Sequence, residues 1–280
     1  MTPVRGALLL LLLLAPACVA AQDLTLRDRG HDVGTLSLAR MQSEIGERII
    51  EVHEPHDPSS VRYAGFRLDA LLDAVYGADW RNRGELLVSC EDGYQPAIPV
   101  ADLLRFEAWL VHRRADDAAF RLHNVRQGET VDLGPFYLVW NNLDAPELQQ
   151  EGAAAWPYQV VALDLIEFSD RFPRMAPPTD AAAEVRQGFL AFRKYCMSCH
   201  TINGEGGAKA VELNYPVSVT EYFDEHWLRR WIDAPRSMRY DTSMPPLVYD
   251  GQDRPAMIDA IVAYLKVMAT RKQAPAVQEN

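Results

Sequence analysis

Ala183-Glu184-Val185-Arg186-Gln187-Gly188-Phe189-Leu190-Ala191-Phe192-Arg193-Lys194-Tyr195 leads directly into Cys196-Met197-Ser198-Cys199-His200. Apolar positions recur at helical spacing from Ala181 to Tyr195, which predicts an amphipathic helix that delivers two cysteines and a histidine at its end. Two further helices are expected downstream, Val219 to Asp233 and Arg254 to Thr270. The loop between them carries Met244-Pro245-Pro246. The C-terminal third is therefore read as all-α.

Cys196 and Cys199 have the spacing that lets each thiol add to one vinyl group of the same porphyrin. The next residue, His200, then presents imidazole to the iron, which is the attachment pattern of c-type haem. The same two-residue spacing also occurs in redox dithiols and in half of a zinc site. The adjoining histidine, a leader sequence and the lack of a second cysteine pair weigh against both. One covalent haem is the expectation.

Across roughly residues 183 to 270 the sequence resembles class I cytochromes c. In that family a glycine and an aromatic on the helix before the motif cross a C-terminal helix, and Gly188, Phe192 and Tyr264 match those places. The missing side chain at Gly188 allows close approach. The resemblance implies a methionine as the sixth iron ligand on the loop before the last helix, and Met244, 44 positions after His200, matches it. Its rivals are Met197, Met238, Met257, Met268 and His226. The family also places a proline-containing loop so that a carbonyl reaches the axial histidine's Nδ1, which points here to the neighbourhood of Pro216. With both axial positions filled, outer-sphere electron transfer is expected rather than binding of oxygen or peroxide.

Upstream, short apolar runs alternate with turn signals. Arg48 to Val52, Glu85 to Cys90, Phe136 to Trp140 and Val160 to Phe168 read as strands, separated by Asp92-Gly93, Gln127-Gly128 and Leu133-Gly134-Pro135. Arg67 to Tyr76 and Val100 to Trp109 carry helical spacing. The whole is expected to be α+β with two domains: 22–172 strand-rich, 173–182 a proline-rich linker, 183–272 helical, and 273–280 a polar tail.

Val61-Arg62-Tyr63-Ala64-Gly65-Phe66-Arg67-Leu68-Asp69-Ala70-Leu71-Leu72, Glu91-Asp92-Gly93-Tyr94, Ile98-Pro99 and Trp156-Pro157-Tyr158 together resemble part of the molybdopterin-binding domain of sulfite-oxidase-like proteins, over about residues 45 to 170. In that family a cysteine on the segment before the Tyr63-Ala64-Gly65-Phe66 equivalent ligates molybdenum. Here that segment reads Glu51-Val52-His53-Glu54-Pro55-His56-Asp57-Pro58, without a cysteine. The resemblance with this departure implies a scaffold that has lost molybdenum and serves for docking or binds something else. His53 and His56, with Glu54 and Asp57, form a candidate second metal site for copper or zinc. A flexible acidic loop would carry the same residues. Asp92-Gly93-Tyr94 reads as a strand-ending turn with Tyr94 packed beside it.

The chain has 280 residues, 48% hydrophobic and 24% charged, values of a soluble globular protein. Met1, Arg5, the Leu8 to Leu14 run and the small residues Ala17, Val19, Ala20 and Ala21 form a secretory leader, 1–21. Its apolar run is shorter than the roughly 20 residues a membrane span needs. Cys18 is read as an apolar leader residue rather than a lipid-anchor site. The periplasm is the expected location, and no membrane span remains after leader removal. Loss of Arg5 takes the formal charge from -11 to -12. That excludes a general affinity for nucleic acid and suits a redox partner with a basic docking face.

Cys90 has no mature partner cysteine and is read as a buried, inert thiol, the alternative being a reactive or metal-binding one. His31, His112 and His123 are read as solvated or hydrogen-bonded structural residues. The functional expectation is an electron carrier whose N-terminal domain recognises a partner. The alternatives are a self-contained oxidoreductase and a metal-handling module with a redox tail.

Overall fold

The structure is a computed structural model and describes residues 23–57, 59–125, 128–150, 152–249 and 253–275. The leader and its Cys18, Pro58, Gln127 and the end of the polar tail lie outside the described residues.

In chain order the N-terminal part contains β1 (Asp23–Asp28), β2 (His31–Ser37), α1 (Leu38–Glu44), β3 (Arg48–His53), β4 (Ser60–Arg67), α2 (Leu68–Tyr76), β5 (Glu85–Cys90) and β6 (Ala97–Pro99). It continues with α3 (Val100–Arg105), β7 (Ala108–Arg114), β8 (Arg121–Asn124), β9 (Glu129–Asp132), β10 (Tyr137–Trp140), β11 (Val160–Ile166) and α4 (Phe168–Arg171). The C-terminal part contains α5 (Ala183–Tyr195), the short β12 (Thr201–Ile202) and β13 (Glu205–Gly206), α6 (Val219–Tyr222), α7 (Glu225–Asp233) and α8 (Arg254–Ala269). A mixed, strand-rich region is thus followed by a helical one.

Three sheets lie in the described N-terminal part: a five-stranded one ordered β2-β1-β11-β5-β6, a four-stranded one ordered β10-β7-β4-β3 and the two-stranded β8-β9. Within the first, β11 runs parallel to β1 and antiparallel to β5. β11 is central and buried on both faces, so its sequence Val-Val-Ala-Leu-Asp-Leu-Ile is nearly continuously apolar instead of alternating. Because successive side chains point to opposite faces, Leu86, Val88, Leu163 and Leu165 enter the core between the sheets. Leu87 and Ile166 join a second core formed by the helices. The same alternation aims Glu85 at α5, where its carboxylate pairs with Arg193.

Several expected boundaries shift. The helix predicted over Val100 to Trp109 stops at Arg105, because Ala108 and Trp109 open β7, which is paired on both sides by β4 and β10. Pairing overrides the local helical spacing. The helix predicted over Val219 to Asp233 is two helices. Phe223 is extended and Asp224 restarts the chain by accepting the His226 and Trp227 N–H groups at 3.0 and 3.4 Å. β10 begins at Tyr137, and Phe168 belongs to α4 rather than to β11.

The stretch over 173–182 does not run free. Phe172 and Met175 are buried in the helical core. The Glu205 carboxylate accepts the Arg174 and Met175 N–H groups at 2.8 and 3.1 Å, and the Tyr264 hydroxyl donates to the Met175 carbonyl at 2.7 Å.

Candidate functional site

The helical scaffold is set by α5 crossing α8. Gly188 sits at the crossing, where an added Cβ would overlap the Ala260 carbonyl. Phe192 and Tyr264 pack beside it with ring centroids 5.3 Å apart. The expected trio therefore meets in space.

At the end of α5 the Cys196 N–H donates to Phe192, and the Cys199 and His200 N–H groups then both donate to the Cys196 carbonyl at 3.1 and 3.0 Å. This tight turn places Cys196, Cys199 and His200 on one cavity of about 1110 Å³. That exceeds the roughly 300–1,000 Å³ of ordinary small-molecule pockets. Phe192, Leu213, Leu228, Ile232 and Leu265 line its helical side, and Tyr94, Ile98, Trp140 and Leu148 line it from the N-terminal part.

Both thiols are free. Burial, with each other's charge second for Cys196, pushes Cys196 up to about 12 and raises Cys199 as well. A redox dithiol needs the opposite, a depressed thiol pKa.

His200 Nδ1 lies 2.8 Å from the Val211 carbonyl. A carbonyl only accepts, so Nδ1 carries the proton and Nε2 is the nitrogen left to ligate a metal. Burial lowers the pKa of His200, which favours the neutral imidazole that coordination requires. The carbonyl expected near Pro216 is thus supplied by Val211, five residues earlier, because the chain after β13 folds back over the attachment turn through the Ala210 N–H, bonded to the Cys199 carbonyl at 2.8 Å.

Met244 lines the same cavity as His200. Its loop is pinned by the Leu247 N–H on the Ile232 carbonyl at 3.0 Å and by its own N–H on Thr242 Oγ1 at 3.3 Å. Of the rivals, Met238 and His226 do not line the cavity, and His226 is exposed against Trp227. Met257 packs at the edge of the helical core and Met268 inside it. Met197 lines the cavity from within the attachment turn itself.

The second candidate metal site is not assembled. His53 is engaged through its backbone with the Asn142 side chain at 2.9 and 2.7 Å, and the His56 ring meets Tyr158 edge-on. Glu54, which follows His53 directly, is 1% exposed and accepts the Tyr63 and Tyr137 hydroxyls at 3.0 Å each. Among the described residues no group of three or more His, Cys, Asp or Glu side chains comes together to hold a metal ion. Cys90 is buried, and burial raises its thiol well above the ordinary range. His112 is buried against Glu47 at 2.6 Å, His123 faces Thr130, and His31 is exposed.

Tyr94 stands at the expected turn, and that turn packs on the attachment loop, a contact for which the sequence holds no local signal. The Gln95 N–H donates to the Ser198 carbonyl at 2.8 Å and the Ala208 N–H donates to the Gly93 carbonyl at 2.9 Å. The strand-ending turn of the N-terminal part is therefore bonded to the attachment loop.

Residues 185–269 match the family model described as cytochrome c. The C-terminal part of the chain is thus a cytochrome c domain, which implies covalently bound haem c and haem-based electron transfer. No curated protein is significantly similar to the chain. Among the described residues no helix is long and apolar enough to cross a membrane.

Proposed function

We propose that this protein is a periplasmic electron carrier with one haem, held covalently by Cys196 and Cys199, ligated by His200 and Met244, and served by an N-terminal domain that docks a redox partner. The observation that carries this reading is the shared cavity. The two thiols, the imidazole and the Met244 thioether, drawn from separate loops, line one apolar space.

Haem held by these residues would supply one-electron exchange, and ligation by the His200 imidazole and the Met244 thioether would favour the ferrous state and outer-sphere transfer. Val211 fixes the imidazole ring and its tautomer. Pro245 and Pro246 stiffen the methionine loop and limit ligand loss. The leader 1–21 supports export to the periplasm. The N-terminal domain, 22–172, is read as a sulfite-oxidase-like scaffold without molybdenum, because the segment around His53 lacks a cysteine. The acidic balance supports a partner with a basic face.

Protein matured in a host with a c-haem assembly system is expected to contain one covalent haem per chain by haemochrome absorbance. Cys196→Ala with Cys199→Ala is expected to contain none. Met244→Ala is expected to lose the sulfur-to-iron charge-transfer band and to lower the midpoint potential, while Met238→Ala does neither. The reverse pattern would transfer the ligand role to Met238, and molybdenum in the purified protein would overturn the reading of the N-terminal domain.

A further inference from the structure

The turn after β5 is built to press on the attachment loop. Gly93 has a φ of +84°, which a side chain rarely adopts, and a Cβ there would meet the Ala208 and Lys209 backbone at 3.0 Å. Asp92 holds the turn by accepting the Tyr94 N–H on Oδ1 at 2.9 Å and spends its other oxygen on Lys209 Nζ at 2.6 Å. The Lys209 ammonium sits 5.6 Å from the centroids of both the Tyr94 and Tyr158 rings, a geometry of cation–π attraction. Lys209 follows Ala208, bonded to Gly93, and precedes Ala210, bonded to the Cys199 carbonyl. Tyr94 lines the haem cavity beside Cys199.

We propose that Lys209 and Asp92, clamped by Tyr94 and Tyr158, form a charge pair through which the N-terminal part sets the haem's midpoint potential. This rests on the haem site proposed above. Ferric haem carries one more positive charge than ferrous haem, so a fixed cation at the Cys199 edge favours the ferrous state and a fixed anion the ferric. Lys209 and Asp92 oppose each other across one contact of 2.6 Å, with the Tyr94 and Tyr158 rings flanking the cation. Both charges are part-exposed, with side chains 38% and 29% accessible, so water weakens each. For unit charges on the order of 10 Å apart at an effective dielectric between about 80 and about 25, Coulomb's law gives a roughly two- to tenfold change in the ferrous-to-ferric ratio.

The test is spectroelectrochemical titration of the full-length holoprotein. Lys209→Gln is expected to shift the ratio at the wild-type midpoint toward ferric by that factor, and Asp92→Asn, which keeps the turn's acceptor oxygen, toward ferrous. Lys209→Arg, which keeps the charge, is expected to retain the wild-type midpoint. A clamp that merely keeps water out would lower the potential in both neutral variants alike. Shifts of the same sign, or none in either, would overturn the proposal. Haem content, read on the same samples, separates this outcome from failure of the site itself: wild-type protein without covalent haem sinks the earlier reading, whereas haem with unmoved potentials sinks only this one.

Discussion

Gly188→Val is expected to unfold the helical part of the chain or to leave it unable to retain haem. The Cβ added at this position would overlap the backbone carbonyl of Ala260 and press on Tyr264 Cβ at 3.0 Å. A flexible neighbour can yield, but here the obstacle is the backbone of α8, so the two helices must move apart. Their separation would loosen the Phe192–Tyr264 contact and the hydrogen bond by which Tyr264 holds the Met175 carbonyl at 2.7 Å. Overpacking of a well-filled core costs about 1–3 kcal/mol, and more where backbone must shift. A loss of about 3 kcal/mol or more is expected for valine, a large share of ordinary domain stability. Gly188→Ala is the sharper control. In an exposed helix interior the change to alanine gains about 1 kcal/mol, whereas here it is expected to destabilise. Denaturant melts of the holoprotein decide the sign, and a stabilised alanine variant would refute the close crossing.

Glu54→Ala is expected to cost roughly 2–6 kcal/mol, from two buried phenol hydroxyls left without an acceptor at about 1–3 kcal/mol each. Tyr63 and Tyr137 are both fully buried and both donate to this one carboxylate, which also receives the His56 N–H at 3.3 Å. Glu54→Gln keeps an acceptor oxygen and is expected to lose less. The pair of variants also separates contact from charge. Burial, the largest influence, raises the Glu54 carboxyl above 4.5, against the lowering effect of the two phenols. The folded state therefore binds a proton more tightly than the unfolded state. Stability is highest below the unfolded value near 4.5 and falls as pH rises through the folded value, after which the slope from this group ends. Glu54→Gln is expected to flatten that fall. Urea melts at a series of pH values measure it, and an unchanged slope in the glutamine variant would assign the pH dependence to another group.

Much of the helical part was legible because its determinants are local. The helix into the motif showed in its apolar spacing, the attachment turn is five consecutive residues, and the resemblance to class I cytochromes c named Gly188, Phe192 and Tyr264 for the crossing. The resemblance to class I cytochromes c pointed to Met244 on the loop before the last helix, and Met244 lines the cavity that His200 also lines. The acceptor for His200 was not legible. Its expected position near Pro216 came from the family resemblance, but the Ala210 N–H bonded to Cys199 turns the chain back early and presents Val211 instead. In the N-terminal part, β3 and β5 were readable from apolar runs. β7 was not, since its first residues continue a helical pattern and become strand only when β4 and β10 flank them. His53 and His56 suggested metal ligands by composition, while Glu54, next to His53, turns inward to two tyrosines.

The sequence by itself placed Cys196, Cys199 and His200 within one turn, because contiguous residues can meet only in a few ways, and at a spacing that matches one porphyrin edge and its iron. Only the tertiary structure decided what stands against that edge. Asp92 and Lys209 lie 117 positions apart, and neither carries a local signal for the other. Their pairing follows from a sheet with two buried faces. One face closes the N-terminal core and the other, through Leu87, Ile166 and Glu85, seats the helices so that the turn after β5 reaches the attachment loop.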